Sequence, residues 1–441
     1  MQPALMQATS ATIAAPRPVA AASRLRECPD CGLFQSLPAL PPRAAATCLR
    51  CHAVLRRNRA DPILRPLVLA LTGLMLLVIA TQSDFVDLRI NGVGRATSIL
   101  TGPSALEAQG MGELGLVVLV TTVLAPLLRL LAIGWVTLGL RLGQAPAYNA
   151  TVFRWAERLR PWSMVEVFLL GLFVAYTKLV DLAQVQVGAA VYAMGALMLV
   201  MAATDATLDP DAVWEALDRR EPASGRARPA PLPARGPLAG MRLGCDVCGE
   251  VSVGLATCPR CGAALRHRKP DSLTRTWALM LAAACFYIPA NLLPVLTLVK
   301  LGRGAPSTIL GGVRELAAAG MWPLAALVFV ASITVPLLKF IGLTIMLATT
   351  RRRTAWRLRE RTTLYRVVDF IGRWSMIDVF MISILTALVR MGTLASVYPG
   401  PGVLAFCAVV ILTMLAAISF DPRLMWDAAE ARTPPHAGGG R

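Results

Sequence analysis

The chain has 441 residues, of which 56% are hydrophobic and 16% are charged, and its mean hydropathy is +0.58. These values exclude an ordinary water-soluble protein of this length, which would need a larger share of polar residues to cover its surface. The net charge of +18 would suit a nucleic-acid-binding protein, but the positions of the basic residues account for it as membrane topology.

The N-terminal segment 1–22 does not have the pattern of a signal peptide. It lacks a basic start and a continuous apolar stretch, and Pro16 and Pro18 interrupt it. We interpret it as a disordered tail rich in alanine and proline.

Eight of the ten cysteines form two sets of paired Cys-x2-Cys knuckles. The first set is Cys28, Cys31, Cys48 and Cys51, and the second is Cys245, Cys248, Cys258 and Cys261. Two facing knuckles supply four thiolates in a tetrahedral arrangement, which predicts a structural zinc ion in each set. Gly32, Gly249 and Gly262 follow three of the four pairs and supply a left-handed backbone that lets amides point at the sulfurs. His52 takes that position in the fourth pair, and the first set also has the longer spacing between its knuckles.

Haem attachment, dithiol redox chemistry and iron binding are the alternatives to zinc for these cysteines. The segment Cys48–His52 spells a haem-attachment signature, but haem is attached on the oxidising face, and the basic residues place this segment on the other side. No thioredoxin-like pattern surrounds either set to support a dithiol redox role. Iron fits four thiolates as well as zinc does, so that alternative stays open. A full set of four ligands indicates a structural metal, and Cys285 and Cys407 are interpreted as packing residues within spans.

Eight apolar stretches are long enough to cross a bilayer, and in lipid each must be a helix. They are Ile63–Ala80, Leu114–Leu140, Val165–Ala183, Val187–Ala206, Trp277–Val299, Trp322–Ala348, Met376–Val397 and Val403–Phe420. The predicted fold class is therefore an all-α polytopic membrane protein, with outer loops at about 83–112 and 300–321.

The chain repeats itself at a spacing of 210 to 212 residues. Thr97–Gly102 matches Ser307–Gly312, Ala125–Leu130 matches Val335–Phe340, and Arg160–Phe168 matches Gly372–Phe380. The predicted organisation is a tail (1–22), zinc ribbon 1 (23–60), four helices (61–215), a linker (216–240), zinc ribbon 2 (241–270), four helices (271–430) and a second tail (431–441). Because four spans are an even number, the two repeats are parallel, and we expect them to pack about an axis along the membrane normal, with a substrate at their interface.

The basic residues predict the orientation. With the N-terminus inside, the outer side carries five of the 44 Lys and Arg: Arg89, Arg95, Lys300, Arg303 and Arg314. The positive-inside rule therefore places both termini in the cytoplasm.

Charged residues inside spans are costly, so each one is a candidate transport site. Arg129 and Glu166 lie at similar depths in the first half, as do Lys339 and Asp378 in the second. We predict the ion pairs Arg129–Glu166 and Lys339–Asp378, which either lock helices together or line a substrate or proton path. Ser163 and Ser375 are expected to join this network, and prolines three residues before each cation are expected to kink the helices.

Lys178 and Asp181 lie three residues apart on one helical face near the outer end of the third span. Lys178 aligns with Arg390, whereas Asp181 aligns with a threonine, so the acid belongs to the first half alone. The pair either takes up and releases a proton or extends to the outer surface without a transport role.

The paired ribbons, the SILTG and STILGG motifs, VPLLK and RWSMIDVF together resemble the paraquat-inducible protein A family. The resemblance covers about residues 25–430. It implies an inner-membrane protein of Gram-negative bacteria that works with a periplasmic MCE-domain partner to move lipids between membranes, with its ribbons in the cytoplasm.

Two function classes follow. One is a transporter that loads or unloads lipid at an MCE tunnel, for which a cavity open to lipid between the halves is expected. The other is a membrane scaffold that anchors the MCE partner and senses metal or stress, for which a tightly packed interface is expected. No phosphate-binding loop or nucleophile set is visible, so neither nucleotide hydrolysis nor an enzymatic activity is expected.

Overall fold

The same order of elements occurs twice along the chain. The computed structural model describes residues 24–90, 93–143, 148–180, 184–220, 240–300, 303–388 and 395–431. Each copy begins with a small β-ribbon, continues through a membrane half, and ends in a short amphipathic helix.

The first ribbon has two antiparallel hairpins, β1–β2 and β3–β4, one beside each cysteine knuckle. The strands are β1 (Arg24–Glu27), β2 (Phe34–Leu37), β3 (Ala45–Thr47) and β4 (Val54–Arg57). The second ribbon has the hairpin β8–β9 and an isolated bridge between Thr257 and Ala264. Its strands are β8 (Arg242–Gly244) and β9 (Val251–Val253).

The first membrane half runs from residue 64 to residue 220. Its helices are α1 (Leu64–Gln82), α2 (Thr101–Glu107), α3 (Gly112–Leu119), α4 (Ala125–Arg141), α5 (Asn149–Leu159), α6 (Val165–Val180), α7 (Ala189–Thr207) and α8 (Pro210–Arg220). Its strands are β5 (Val86–Ile90), β6 (Val93–Thr97) and β7 (Gln184–Val187).

The second membrane half repeats this order. Its helices are α9 (Ser272–Leu292), α10 (Ile309–Ala318), α11 (Trp322–Phe329), α12 (Val335–Arg351), α13 (Leu358–Gly372), α14 (Ile377–Leu388), α15 (Pro401–Ser419) and α16 (Arg423–Glu430). Its strands are β10 (Leu296–Lys300), β11 (Arg303–Ser307) and β12 (Ala395–Pro399).

Within the described ranges, eight helices are long and apolar enough to cross a membrane. This agrees with the predicted number, but two predicted ends are wrong. The fifth helix ends at Leu292, and Val299 lies in β10; the seventh ends at Leu388, and Val397 lies in β12. Hydropathy could not place these ends because the apolar, β-branched residues continue from the helix into a strand.

A three-stranded antiparallel sheet closes each half at the end opposite the ribbons, which we call the sheet face; the other end is the ribbon face. The strand orders are β6-β5-β7 and β11-β10-β12. From the sequence, these segments were expected to be loops and helix ends. Gly188 and Gly400 connect each sheet to the next membrane helix, where an added Cβ would lie 2.1 Å and 2.2 Å from a backbone oxygen, so only glycine fits.

The second span of each half contains one π-helical turn. It covers Val120–Leu124 in the first half and Val330–Thr334 in the second, directly before the turn that carries Pro126 or Pro336. Since proline has no N–H and clashes with the preceding turn, a wider turn accommodates it within a continuous helix. The expected irregularity is therefore a π-helical turn at the same place in both repeats.

The two halves meet along α6 and α14. Phe168 and Phe380 occupy equivalent positions, and their rings contact each other edge to face with centroids 5.7 Å apart. Equivalent residues touch where a twofold pseudo-symmetry axis passes, so the axis lies between these rings. A Cβ added at Gly171 would come within 2.9 Å of the Phe380 Cβ. The described part of this interface is therefore tightly packed.

Candidate metal centres and polar residues of the spans

Each set of four cysteines is gathered into one buried cluster. The four sulfurs of a cluster lie within 4.8 Å of one another. Closest pairs such as Cys28–Cys51 and Cys245–Cys261 are 3.5 Å apart. A tetrahedral site with metal–sulfur bonds of about 2.3 Å requires sulfurs about 3.8 Å apart. The spacing, the burial and the donor set therefore fit one metal ion in each ribbon.

The four knuckles share one backbone geometry, including the one that lacks glycine. In the glycine-containing knuckles the amide of Gly32, Gly249 or Gly262 donates to the carbonyl of the first cysteine at 2.9–3.0 Å. His52 makes the same bond to Cys48 at 3.0 Å with a φ of +57°. Histidine is among the residues that tolerate this left-handed region, so the departure at position 52 leaves the first site intact.

The cysteines of each cluster differ in pKa. Hydrogen bonds from the thiols of Cys28 and Cys31 lower the pKa of Cys51 to about 2. Hydrogen bonds from Cys245 and Cys248 likewise lower the pKa of Cys258. The pKa values of Cys31 and Cys248 are raised, because the hydrogen bonds that these thiols donate stabilise their protonated forms. Since the thiolate is the form that binds metal, a bound ion would displace these protons.

The first ribbon docks its second knuckle on the second membrane half. The Arg366 guanidinium of α13 donates to the Cys51 carbonyl at 3.1 Å and to the Asp30 carboxylate at 2.7 Å. Arg50 stacks over the Trp426 ring of α16 at 4.2 Å and pairs with Glu430.

A hydrophobic cluster reinforces this contact between the first ribbon and the second half. It joins Leu37 and Leu55 of the ribbon to Leu347, Phe420 and Trp426. Apolar burial and ion pairs therefore hold the first ribbon against the second half. This half lies much later in the chain, since Arg366 follows Cys51 by 315 residues.

The second ribbon docks on the first half in the equivalent way. Arg154 of α5 donates to the Cys261 carbonyl at 3.3 Å, and Arg260 pairs with Asp218 of α8 at 2.6 Å. Arg154 and Arg366 are equivalent at an offset of 212, as are Asp218 and Glu430; Arg50 and Arg260 each precede the last cysteine of their set. Each ribbon therefore docks on the half that does not directly follow it in the chain, and the two docking contacts are related by the pseudo-symmetry.

A buried ion network joins the two ribbons to the last helix. Arg423 makes two hydrogen bonds of 3.0 Å to Asp421, and it approaches Glu27 of the first ribbon at 3.3 Å and Asp246 of the second at 3.2 Å. Arg268 links Glu27 to Asp427. Burial alone would raise the pKa of Asp421, but Arg423 outweighs it and the pKa is lowered.

The equivalent acid in the first half has the opposite environment. Asp211 stands where the second half has Arg423, so Asp209 lacks the cation that faces Asp421. Burial, together with the charge of Asp211, raises the pKa of Asp209.

Arg129 pairs with Asp205, and the predicted Arg129–Glu166 pair is wrong. The Arg129 side chain is 3% exposed, and its guanidinium donates to the Asp205 carboxylate near the end of α7. Arg160 approaches the same carboxylate at 3.4 Å. Sequence reasoning missed Asp205, although it is the acidic residue of the fourth predicted span and has Ala417 as its counterpart in the second half.

Lys339 is held by neutral oxygens, and the predicted Lys339–Asp378 pair is also wrong. The buried ammonium donates to the Gly372 carbonyl at 3.0 Å and to the Thr413 hydroxyl at 3.3 Å. The second half has no carboxylate at the position of Asp205, which explains why this cation takes a carbonyl and a hydroxyl instead.

The other candidate residues are only partly described. Glu166 is half-buried and Asp378 is buried, each with interaction partners of its own. Ser163 donates to the Leu159 carbonyl at 3.3 Å, and the Ser375 hydroxyl is buried. The side chain of Lys178, and all of Asp181 and Arg390, lie outside the described residues.

Both membrane halves match one protein family. The family is described as paraquat-inducible protein A, and the matched residues are 63–218 and 273–430. The chain belongs to this family. The match covers the duplicated halves separately, which confirms the internal repeat, and the two cysteine clusters lie just before the matched segments.

Relatives in the family span nearly the whole chain. "Intermembrane transport protein PqiA" of Escherichia coli is 35% identical over 414 residues, covering 91% of this chain and 95% of that protein. "Lipophilic envelope-spanning tunnel protein A" of E. coli is 32% identical over 406 residues, covering 92% of each. A "Probable intermembrane transport protein" of Haemophilus influenzae is 24% identical over 413 residues. No solved structure shows a significant match.

Family membership and eight apolar helices make this chain a multi-pass membrane protein. Its two halves are mostly helical repeats, each preceded by a four-cysteine cluster that could hold a metal ion.

Proposed function

We propose that this protein is the inner-membrane component of a lipid-transport system, which passes lipids between the inner membrane and a periplasmic MCE-domain tunnel. The full-length similarity to an intermembrane transport protein and to an envelope-spanning tunnel protein carries this proposal. We propose no enzymatic activity for the chain itself.

The distribution of charge supports an orientation with the ribbon face and both termini in the cytoplasm. The arginine run 351–353, the arginines of α13 and the ribbon arginines all belong to the ribbon face. This asymmetry follows the positive-inside rule. The sheet face would then project into the periplasm.

The two sheets at the sheet face are the proposed docking surface for the MCE partner. Each is a short, open three-stranded sheet, and open edges accept further strands from a partner. Tyr398 on β12 and Val187 on β7 are exposed apolar side chains on this surface.

The tight packing between α6 and α14 bears on whether the protein is a transporter or a scaffold. The void lined by Phe168, Ser383 and their neighbours at the sheet-face end of the interface measures about 10 Å³, too small for an acyl chain. A lipid route between the halves would therefore require α6 and α14 to separate. The same packing supports the second candidate, a membrane scaffold that anchors the MCE partner and senses metal or stress through its ribbons.

The proposed metals are two structural zinc ions, held by Cys28, Cys31, Cys48 and Cys51, and by Cys245, Cys248, Cys258 and Cys261. Iron would suit the same thiolates, and elemental analysis of the purified protein distinguishes the two. When bound, the metal supplies cross-links that stabilise a small ribbon with little apolar core.

Proton coupling through Asp181, Lys178 and the charged residues of the spans is part of the transporter proposal. Asp205 joins the candidates because it holds Arg129. If Asp181→Asn and Glu166→Gln variants, expressed at normal levels, both restore envelope-lipid function to a deletion strain, the coupling proposal is wrong.

The main experiment is purification of the full chain from native membranes, with mass spectrometry of the proteins and lipids that copurify. A photo-crosslinking residue at Tyr398 is expected to capture the MCE partner, and one at Arg353 on the ribbon face serves as the matched control. Capture of the partner with copurified phospholipid supports transport. Capture without lipid supports the scaffold, and failure to recover an MCE partner contradicts both.

A further inference from the structure

We propose that a cationic groove at the base of the first ribbon binds the headgroup of an anionic phospholipid. The groove has a volume of about 450 Å³, and four arginines line it. They are Arg43, Arg57, Arg59 and Arg65. Among the described residues that line it, none is acidic.

The groove lies at the level of the lipid headgroups. Its walls are β3 and β4 of the ribbon, the start of α1 at Arg65, and the end of α7 at Ala206 and Thr207. Since α1 and α7 are membrane spans, this position is the boundary between bilayer and water. Basic pockets at such boundaries bind anionic lipid headgroups.

The groove is held in shape by hydrogen bonds to the backbone. The Asn58 side chain donates to the Leu40 carbonyl at 2.8 Å, and the Arg43 amide donates to the Asn58 carbonyl at 2.9 Å. Arg59 donates to the Leu208 carbonyl at 2.6 Å and also to the Asp205 carbonyl. These bonds fix the loop that carries Arg43 against the membrane half.

Most of the positive charge in the groove is not neutralised by the protein. Arg43 and Arg57 are exposed and make no ion pair with any described residue. Arg65 approaches Asp61 at 3.5 Å, but both side chains are more than half exposed, so this pair is weak. Guanidinium groups bind phosphate oxygens in a bidentate manner, and the groove offers two or three of them.

The surface of α1 next to the groove is apolar and suits lipid acyl chains. Leu64, Val68, Leu71 and Met75 form an exposed apolar stripe along α1, starting beside Arg65. A phospholipid whose phosphate lies in the groove can therefore lay its tails along this helix. This continuity favours a lipid headgroup over a soluble phosphate compound.

The site is a property of the first repeat. The seven additional residues between the knuckles of the first ribbon supply the loop with Arg43, as the spacings of 16 and 9 residues show. Counted from the last cysteine, Arg59 and Arg65 correspond to Lys269 and Arg275, whereas Arg57 corresponds to His267 and the loop with Arg43 has no counterpart. The proposal does not depend on transport or on an MCE partner.

The test is native mass spectrometry of the purified full chain titrated with phosphatidylglycerol or phosphatidylcholine. We compare the wild type with an Arg43→Gln/Arg57→Gln variant, and with the matched control Arg352→Gln/Arg353→Gln, which removes the same charge elsewhere on the ribbon face. Wild type and control are expected to retain one more phosphatidylglycerol than the groove variant, whose affinity falls at least tenfold. Phosphatidylcholine should bind all three proteins equally.

Three results would overturn the proposal. They are unchanged phosphatidylglycerol retention in the groove variant, an equal loss in the control, and displacement of the lipid by millimolar inorganic phosphate, which would indicate a soluble anion instead. A metal content of two ions per chain and an unchanged melting temperature verify folding, and Arg43→Gln alone replaces the double variant if it does not fold.

Discussion

The Arg366 guanidinium of the second membrane half lies 3.1 Å from the carbonyl oxygen of Cys51 in the first ribbon. The equivalent Arg154 of the first half contacts Cys261 of the second ribbon at 3.3 Å. The second knuckle of each ribbon is therefore supported by the half to which it is not directly joined. Arginines on the other side of each ribbon pair with the terminal helix of its own half, as Arg24 does with Glu215 and Arg268 with Asp427. The ribbons thus fasten the two repeats together.

Exchanged docking predicts that loss of a metal site affects the opposite half. Cys51→Ser should increase amide hydrogen exchange in α13 and α16 of the second half, because the knuckle that contacts them unfolds. The matched variant Cys261→Ser should increase exchange in α5 and α8 of the first half. Amide hydrogen exchange is measured by mass spectrometry. If it rises mainly in the half that directly follows the altered ribbon, the ribbons do not dock on the opposite halves.

Arg366 should influence retention of the first metal. It contacts both the carbonyl and, at 3.5 Å, the sulfur of Cys51, whereas Arg154 contacts the carbonyl of Cys261. Removal of groups that support metal ligands weakens binding by roughly 10–100-fold. In Arg366→Ala, one of the two ions should pass to a chelator at least ten times faster than in wild type. Arg154→Ala is the control, with a smaller effect on the other ion, and equal rates in wild type and Arg366→Ala would refute the prediction.

Replacing Asp421 with asparagine should lower the free energy of unfolding, whereas replacing Asp209 should leave it unchanged or raise it. The pKa of Asp421 is lowered in the folded state, so its ionised form stabilises the protein above its unfolded pKa of about 4, and this contribution is lost as the pH falls through the lowered value. Asp421→Asn should lower the free energy of unfolding at pH 7 by about 2 kcal/mol, since hydrogen bonds to charged groups contribute roughly 1.5–3 kcal/mol.

Asp209→Asn is the matched comparison. The raised pKa of Asp209 means that its charge opposes folding at neutral pH, an effect that is relieved as the pH falls through the raised value. The asparagine can keep the 3.2 Å bond from the Ala212 amide, so this variant should be as stable as wild type or more stable. Denaturant titration in detergent at pH 7 and pH 4 tests both, and equal destabilisation by the two variants would show that Arg423 does not set the difference.

The Arg129–Asp205 pair should show strong coupling. Removing Asp205 leaves the buried Arg129 guanidinium without a carboxylate and costs about 3–5 kcal/mol, whereas replacing both partners with apolar residues costs less. Asp205→Leu should therefore destabilise the protein more than the double variant Arg129→Met/Asp205→Leu does. Arg129→Met should cost less than Asp205→Leu, because Asp205 is 30% exposed and keeps Arg160 at 3.4 Å. A double-mutant cycle measured by unfolding in detergent provides the coupling energy, and additive effects would mean that the two side chains act separately.

The sequence predicted the features that depend on local spacing. Two pairs of Cys-x2-Cys knuckles specify their own geometry, even where His52 replaces glycine, and the eight apolar stretches must be helices in a bilayer. Repeated motifs revealed the duplication for the same reason, since both copies keep the residues that shape them.

Features that depend on which elements become neighbours could not be predicted from the sequence. Glu166 and Asp205 both lie at a suitable depth for Arg129, and only the packing of α4 near α7 decides between them. Segments at the sheet face were assigned to loops and helix ends because apolar strands and spans have the same composition. The docking of each ribbon on the opposite half left no signal in the spacing, although both repeats carry the arginine (Arg154 and Arg366) and the acid (Asp218 and Glu430) that make these contacts.

The exchange of ribbons also imposes an order on biosynthesis. The first ribbon emerges from the ribosome long before its docking site, since Cys51 and Arg366 are separated by 315 residues. At roughly 5–20 residues per second, translation of that interval takes about 15 to 60 s. During this time the nascent ribbon must hold its shape without α13 or α16, and binding of the proposed metal would stabilise it. Helix α16, the last of the described helices, supplies Trp426 and Glu430 to the first ribbon and Arg423 to Asp246 of the second. A chain truncated before α16 would therefore lose contacts to both ribbons.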